Sequence, residues 1–238
     1  MPVIAVAIWG QRTYEAPRTK GTVKIDGKLD EAAWAKAAWT PAFTSIDKGA
    51  PVARQTRAKM MWDEKYFYIA VELEEPQLWA TYKEHDAQIF RDPAVEIFWD
   101  PEGDGLDYFE WQTNAWGTTW DLKLSKPYKK GGKADNGWEI PGLKQAIALR
   151  GTLNDPKDTD QGWTVELAFP WEAFAGARAP QAGAEWRVTI SRVDWKAEIR
   201  EGKYVKDEKA PGLFSLWSPH GEPDMHLPEK FGRVRFTR

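Results

Sequence analysis

Apolar and polar residues alternate along most of this chain, and that period of two most narrows the folds open to it. "YFYIAVELEE" (Tyr66 to Glu75), "AVEIFWD" (Ala94 to Asp100) and "EWRVTISRVDW" (Glu185 to Trp195) send successive side chains to opposite sides of an extended backbone. Turn signals break the alternation. "DEK" separates Ala53–Trp62 from Tyr66–Glu75 as a hairpin, and "PEGDG" separates Ala94–Asp100 from Leu106–Trp116 as a second. "TTWDLKL", "KQAIALRGTLN", "GWTVELAF" and "FGRVRF" add further strands, and "TVKID" (Thr22 to Asp26) reads as another. Helical signals are short: "LDEAAWAKAA" with Asp30 as N-cap and Trp34 on its buried side, and one turn opened by Pro170. Lys126–Gly142 and the charged stretch "EIREGKYVKDEKAPG" read as surface loops.

About ten strands in one unbroken pattern, without repeats or a linker, predict an all-β chain: a single-domain antiparallel β-sandwich with short helical turns spanning residues 1–238. Residues 1–20 read as an N-terminal extension or edge strand. "MPVIAVAIWG" is apolar but short, with no basic n-region, and reads as the tail of a trimmed signal peptide or as an edge strand. A chain of 238 residues buries a core without staples, and the absence of Cys excludes disulfides, thiolate metal sites and a Cys nucleophile. A net charge of −3 offers no field to hold a polyanion, so nucleic acid is not an expected partner. No apolar run approaches the roughly 20 residues of a membrane span.

The chain carries 15 Trp against 3 His. Trp34, Trp62, Trp99, Trp163 and Trp186 lie in apolar patterns and are expected in the core. Trp116, Trp120 and Trp217 lie in polar surroundings near strand ends, where a flat ring can meet a ligand, although Trp120 also suits packing under a loop. On neighbouring strands, Glu96 can share a face with Tyr108, Glu110, Gln112 and Asn114. Carboxylates and amides for hydroxyls, edged by rings for the C–H face of a pyranose, are the composition a sugar site needs; an ordinary solvated sheet face has a similar one.

Other chemistries also fit residues of this chain. Glu96 and Glu110 on adjacent strands could lie about 5 Å apart, the separation of a retaining glycosidase pair. "DPEGDGLD" offers Asp100, Glu102, Asp104 and Asp107 as hard oxygen ligands for calcium, or is simply an acidic turn. His226, with Met60 or Met61 on the opposite side, could ligate a haem. No Gly-x-Ser-x-Gly elbow and no phosphate-cradling glycine loop occurs.

The ordered series "IDGKLDEAAW", "MMWDEKYFYIAVELEEP", "DPAVEIFWDP", "YFEWQTNAWGTTWDL", "GWTVELAFPWEAF", "SRVDW", "LWSPHG" and "DMHLPEKFG" resembles family 9 carbohydrate-binding modules from about Val23 to Phe236. The resemblance implies a DOMON-like β-sandwich that binds glycan without catalysis. It implies a cell-wall polysaccharide or oligosaccharide as ligand, glycoside hydrolases as partners, no cofactor beyond a structural calcium, and a secreted or periplasmic location. In such modules two Trp rings sandwich a terminal sugar, while a Glu, an Arg and amides grip its hydroxyls. Glu96 and Asn114 match that pattern. Phe90 and Met225 stand where the sandwiching rings belong, and Gln112 stands in place of the Arg. The expected sugar-binding set is therefore Phe90, Trp116 and Trp217 for stacking, with Glu96, Gln112, Asn114, Arg192 and His226 for hydroxyls.

Overall fold

A computed structural model of the chain describes residues 10–174 and 179–238. Its strands are β1 (Thr13–Ala16), β2 (Thr44–Ser45), β3 (Thr56–Trp62), β4 (Tyr66–Glu74), β5 (Ala94–Asp100), β6 (Tyr108–Asn114), β7 (Thr119–Leu124) and β8 (Ala134–Asp135). They continue as β9 (Lys144–Arg150), β10 (Gly162–Pro170), β11 (Glu185–Asp194), β12 (Ala197–Arg200), β13 (Lys203–Lys206), β14 (Leu213–Leu216) and β15 (Gly232–Phe236). A nine-stranded sheet runs β1–β15–β11–β5–β6–β7–β8, with β14 beside β11 and β2 beside β14. A four-stranded sheet, β3–β4–β10–β9, packs over it. Apart from the parallel β1–β15 pair, the strand pairings among the described residues are antiparallel. Helical structure among them is confined to single 3₁₀ turns.

Alternation sorts the side chains. Val95, Ile97 and Trp99 of β5 and Phe109 and Trp111 of β6 face the second sheet. There they meet Ile69 and Val71 of β4 and Val165, Leu167 and Phe169 of β10. Burying a large side chain of this kind contributes about 2 kcal/mol, which makes the seam between the sheets the main source of stability. Trp34, Trp62, Trp99, Trp163 and Trp186 are all buried. The indole N–H of Trp62 donates to Thr237 O at 2.9 Å and that of Trp34 to Glu166 Oε1 at 2.8 Å, whereas those of Trp99 and Trp111 have no acceptor.

Three segments differ from expectation. Thr22–Asp26 is not a strand. Its Val23 packs with Trp34 on the outer face of the four-stranded sheet, against Tyr68, Ala70 and Ala168. Glu166 of β10 explains why: its carboxylate accepts the backbone N–H groups of Asp26 and Gly27, each at 2.9 Å, as well as the Trp34 indole. A side-chain acceptor on the sheet replaces a strand partner. Gly27 has φ +83°, and a Cβ there would lie 2.9 Å from Ala148 Cβ, so both conformation and space require glycine. The expected helix after it shrinks to one 3₁₀ turn, Trp34–Lys36, without a side-chain cap. The charged stretch after Trp195 folds as the hairpin β12–β13, whose turn residues Glu201 and Gly202 both have positive φ, 51° and 72°.

β1 places part of the N-terminal segment at the sheet edge, in register with β15. The apolar run at residues 1–9 lies outside the described residues.

Candidate functional site

The outer face of the large sheet carries the chemistry. Glu96 on β5 lies opposite Gln112 on β6 and opposite Ser191 on β11. Glu110 lies opposite Phe98, diagonal to Glu96, and Gln112 lies opposite Trp120 of β7. Strand pairing alone therefore sets two carboxyls, one amide and one indole side by side. Loops wall them in. Phe90 arrives from the 3₁₀ turn before β5, Tyr128 from the one after β7, and Met225 and His226 from the segment following β14. Together these residues line a groove of about 560 Å³.

Phe90 and Trp120 lie with ring centroids 5.8 Å apart and planes at 33°, forming an aromatic wall. The ring of Tyr128 meets His226 edge-on at 4.6 Å. His226 Nδ1 is 2.9 Å from the Tyr108 hydroxyl, and burial lowers its pKa to about 4, so its imidazole is neutral. On the floor, Ser191 Oγ donates to Glu96 Oε2 at 2.8 Å, and Gln112 Nε2 donates to Glu110 Oε1 at 2.6 Å. Gln112 Oε1 is buried without any partner. Burial raises Glu96 to about 7; burial and then the charge of Glu96 raise Glu110 to about 8. At the rim, Asp224 pairs with Lys129 at 2.8 Å.

The groove thus gathers Phe90, Glu96, Gln112 and His226. The other four expected sugar contacts lie elsewhere. Trp217 is 1 % exposed, packs edge-on against Tyr14, and donates its indole N–H to Val188 O at 3.2 Å. Its ring fills the space above Gly232, where a Cβ would come within 2.1 Å of Cζ2, and so offers no face to a ligand. Arg192 follows Ser191, and alternation turns it to the opposite face from Glu96. There its guanidinium binds the Glu75 carboxylate and donates to Glu74 O at 2.7 Å, joining the two sheets. Asn114 shares the face of Gln112 but spends its amide on Tyr82 O and Asp92, while its Oδ1 accepts from Trp116 and Thr118. Trp116 is exposed away from the groove, under the ammonium of Lys83 at 4.1 Å, with its N–H on Ala80 O.

Trp120, which from sequence suits either ligand contact or packing under a loop, and Tyr128, which the sequence does not single out, also line the groove. Register was the available signal for Trp120, since β7 continues the β5–β6 pairing. Nothing local marks Tyr128, which reaches the site through a loop.

In the acidic turn the carboxylates serve the protein's own backbone and cations. Both oxygens of Asp100 accept backbone N–H groups, from Gly103 at 2.8 Å and Gly105 at 3.0 Å, and Arg187 stands 3.6 Å away. Asp104 caps Leu106 N, and Asp107 pairs with Lys123. Glu102 joins no group of clustered ligands. Among the described residues, the side chains close enough to share a cation are His85, Asp121 and Glu139, where His85 Nε2 already lies 3.2 Å from Glu139. The haem pairing fails on placement. Met60 is in the core between the sheets and Met61 on the outer face of the small sheet, whereas His226 lies beyond the outer face of the large one. Glu96 and Glu110, the pair that also suits a retaining glycosidase, share the groove floor, where burial raises both.

Solved structures with this fold include a family 9 carbohydrate-binding module from Caldicellulosiruptor kristjanssonii in complex with cellotriose. It is 16 % identical, with a TM-score of 0.62 over 95 % of this chain and 94 % of that one. A Bacteroides uniformis protein aligns at a TM-score of 0.72 and 16 % identity over 95 % of this chain and all of the other. The fold defines the class, a β-sandwich of the kind seen in these modules. More particularly, the chain belongs to the carbohydrate family 9 binding domain-like family, whose sequence model matches residues 25–215. Similar segments occur in the exoglucanase XynX of Acetivibrio thermocellus, 30 % identical over 154 residues, and in endo-1,4-beta-xylanase A of Thermoanaerobacterium saccharolyticum, 27 % identical over 168 residues. These cover 65 % and 71 % of this chain but only 12 % of each relative. No helix among the described residues is long and apolar enough to cross a membrane.

Proposed function

We propose that the groove over Glu96, Glu110 and Gln112 holds one end of a cell-wall oligosaccharide without cleaving it, with Trp120 and Phe90 as the stacking wall. The observation that carries this reading is Gln112 Oε1, a buried acceptor with no protein partner, set beside an aromatic pair that leaves a sugar-sized space. A hydroxyl would supply the missing donor, and the C–H face of a pyranose would cover the rings. The cellotriose and glucose complexes of the Caldicellulosiruptor modules support a gluco-oligosaccharide. The xylanase and exoglucanase relatives support an accessory role in glycan degradation, outside the cytoplasm, beside glycoside hydrolases.

Affinity should be modest, because each stacking or hydrogen-bond contact contributes about 1 kcal/mol net. Calorimetry with cellotriose should show saturable binding, weakened about tenfold in Trp120→Ala. If cellotriose and a panel of plant and algal oligosaccharides all fail to bind the folded protein, the reading is wrong.

A further inference from the structure

The groove's charge balance is one-sided. Its titratable lining residues are Glu96, Glu110, Asp224, His226 and Tyr128, and no lysine or arginine lines it. Asp224 is matched by Lys129 at the rim. Glu96 and Glu110, 3 % and 4 % exposed, have only neutral hydrogen-bond partners, Ser191 and Gln112. A buried carboxyl without a cation stays protonated or waits for one. Gln112 Oε1 is a third buried acceptor with nothing to accept from. Phe90, Trp120 and Tyr128 present aromatic faces or edges at the same opening, and such rings favour a positive charge once water is displaced.

Resting on the glycan-binding reading above, we propose that this groove selects a sugar bearing a protonated amine, an unacetylated amino sugar, over its neutral counterpart. The ammonium sits over the groove floor of Glu96, Glu110 and Gln112, and the ring lies along Trp120 and Phe90. A hydroxyl at the same position brings one donor and no charge. An ammonium brings three donors and the charge that the two carboxyls lack. Its arrival favours ionisation of the acids, so protons leave the site on binding. His226 stays neutral, and the Asp224–Lys129 pair at the rim carries no net charge into this exchange.

The test compares three β-1,4-linked trisaccharides by calorimetry at pH 6.5: cellotriose, the glucosamine trimer, and the N-acetylglucosamine trimer. The glucosamine trimer should bind about tenfold more tightly than either neutral one. Its binding heat should vary with the buffer's ionisation enthalpy, as proton release requires. In Glu110→Gln, or in Glu96→Gln should the first variant fold poorly, the ratio of glucosamine-trimer to cellotriose affinity should fall towards one. Equal or weaker binding of the glucosamine trimer, with cellotriose still bound, overturns the amine preference and leaves the glycan site standing. A folded protein that binds none of the three overturns both.

Discussion

The groove's carboxyls tie the stability of the whole domain to pH, and Glu110→Gln isolates that tie. In the unfolded chain Glu110 ionises near its ordinary value of 4.5, whereas burial and the neighbouring Glu96 hold it neutral in the fold until about 8. The folded-state pKa lies above the unfolded one, so the fold binds more protons across this window. The stability is fully present below pH 4.5 and is lost as pH rises towards 8. At pH 7 the unfolded state gains about 3 kcal/mol from ionising this one carboxyl. Glutamine cannot ionise, and its amide oxygen can still accept from Gln112 Nε2 as Glu110 Oε1 does at 2.6 Å. The ligand-free variant should therefore be more stable than the parent by about 4 kcal/mol at pH 8 and nearly equal to it at pH 4.5. His226 runs the other way. Burial lowers it to about 4, so its contribution is present above pH 6.5 and lost as pH falls through 4; it is common to both proteins and cancels in their difference. Urea unfolding at pH 4.5, 6 and 8 measures that difference directly. A gap that stays constant across pH, or a variant that grows less stable relative to the parent as pH rises, would refute the buried-acid argument.

Trp217→Ala should cost about 3–5 kcal/mol in unfolding free energy, because it empties a buried site rather than trimming a binding surface. Any loss of glycan binding in that variant should track the loss of folded protein. Gly232→Ala should also lower the melting temperature, since the new methyl would overlap the Trp217 ring from below. Asp100→Ala should destabilise by about 1–3 kcal/mol through the orphaned N–H groups of Gly103 and Gly105. Added calcium or chelator should leave the parent's melting temperature unchanged if that carboxylate serves the turn rather than a metal.

Alternation within a strand was enough to place Glu96, Gln112 and the core tryptophans, because a side chain two residues on must return to the same face. Followed one step further, it also settles Arg192. Ser191 pairs with Glu96, so its neighbour has to point into the seam between the sheets, where Glu75 meets it. The same step finds Trp120, whose strand partner is Gln112. What alternation cannot supply is anything that arrives through a loop. Tyr128, Met225 and His226 reach the groove from two separate connections, and only the strand order of the large sheet brings those connections over the same face. Trp217 misleads for a related reason. Its polar neighbours in "LWSPHG" suggest a surface, yet β14 joins β11 directly and carries the following indole onto Gly232. Thr22–Asp26 alternates like a strand, but the Glu166 carboxylate rather than a strand partner accepts the N–H groups of Asp26 and Gly27. Local pattern therefore decides which way a residue faces. Which residues share a face with it is decided by pairings far apart in sequence, and the composition of a binding groove is a property of those pairings.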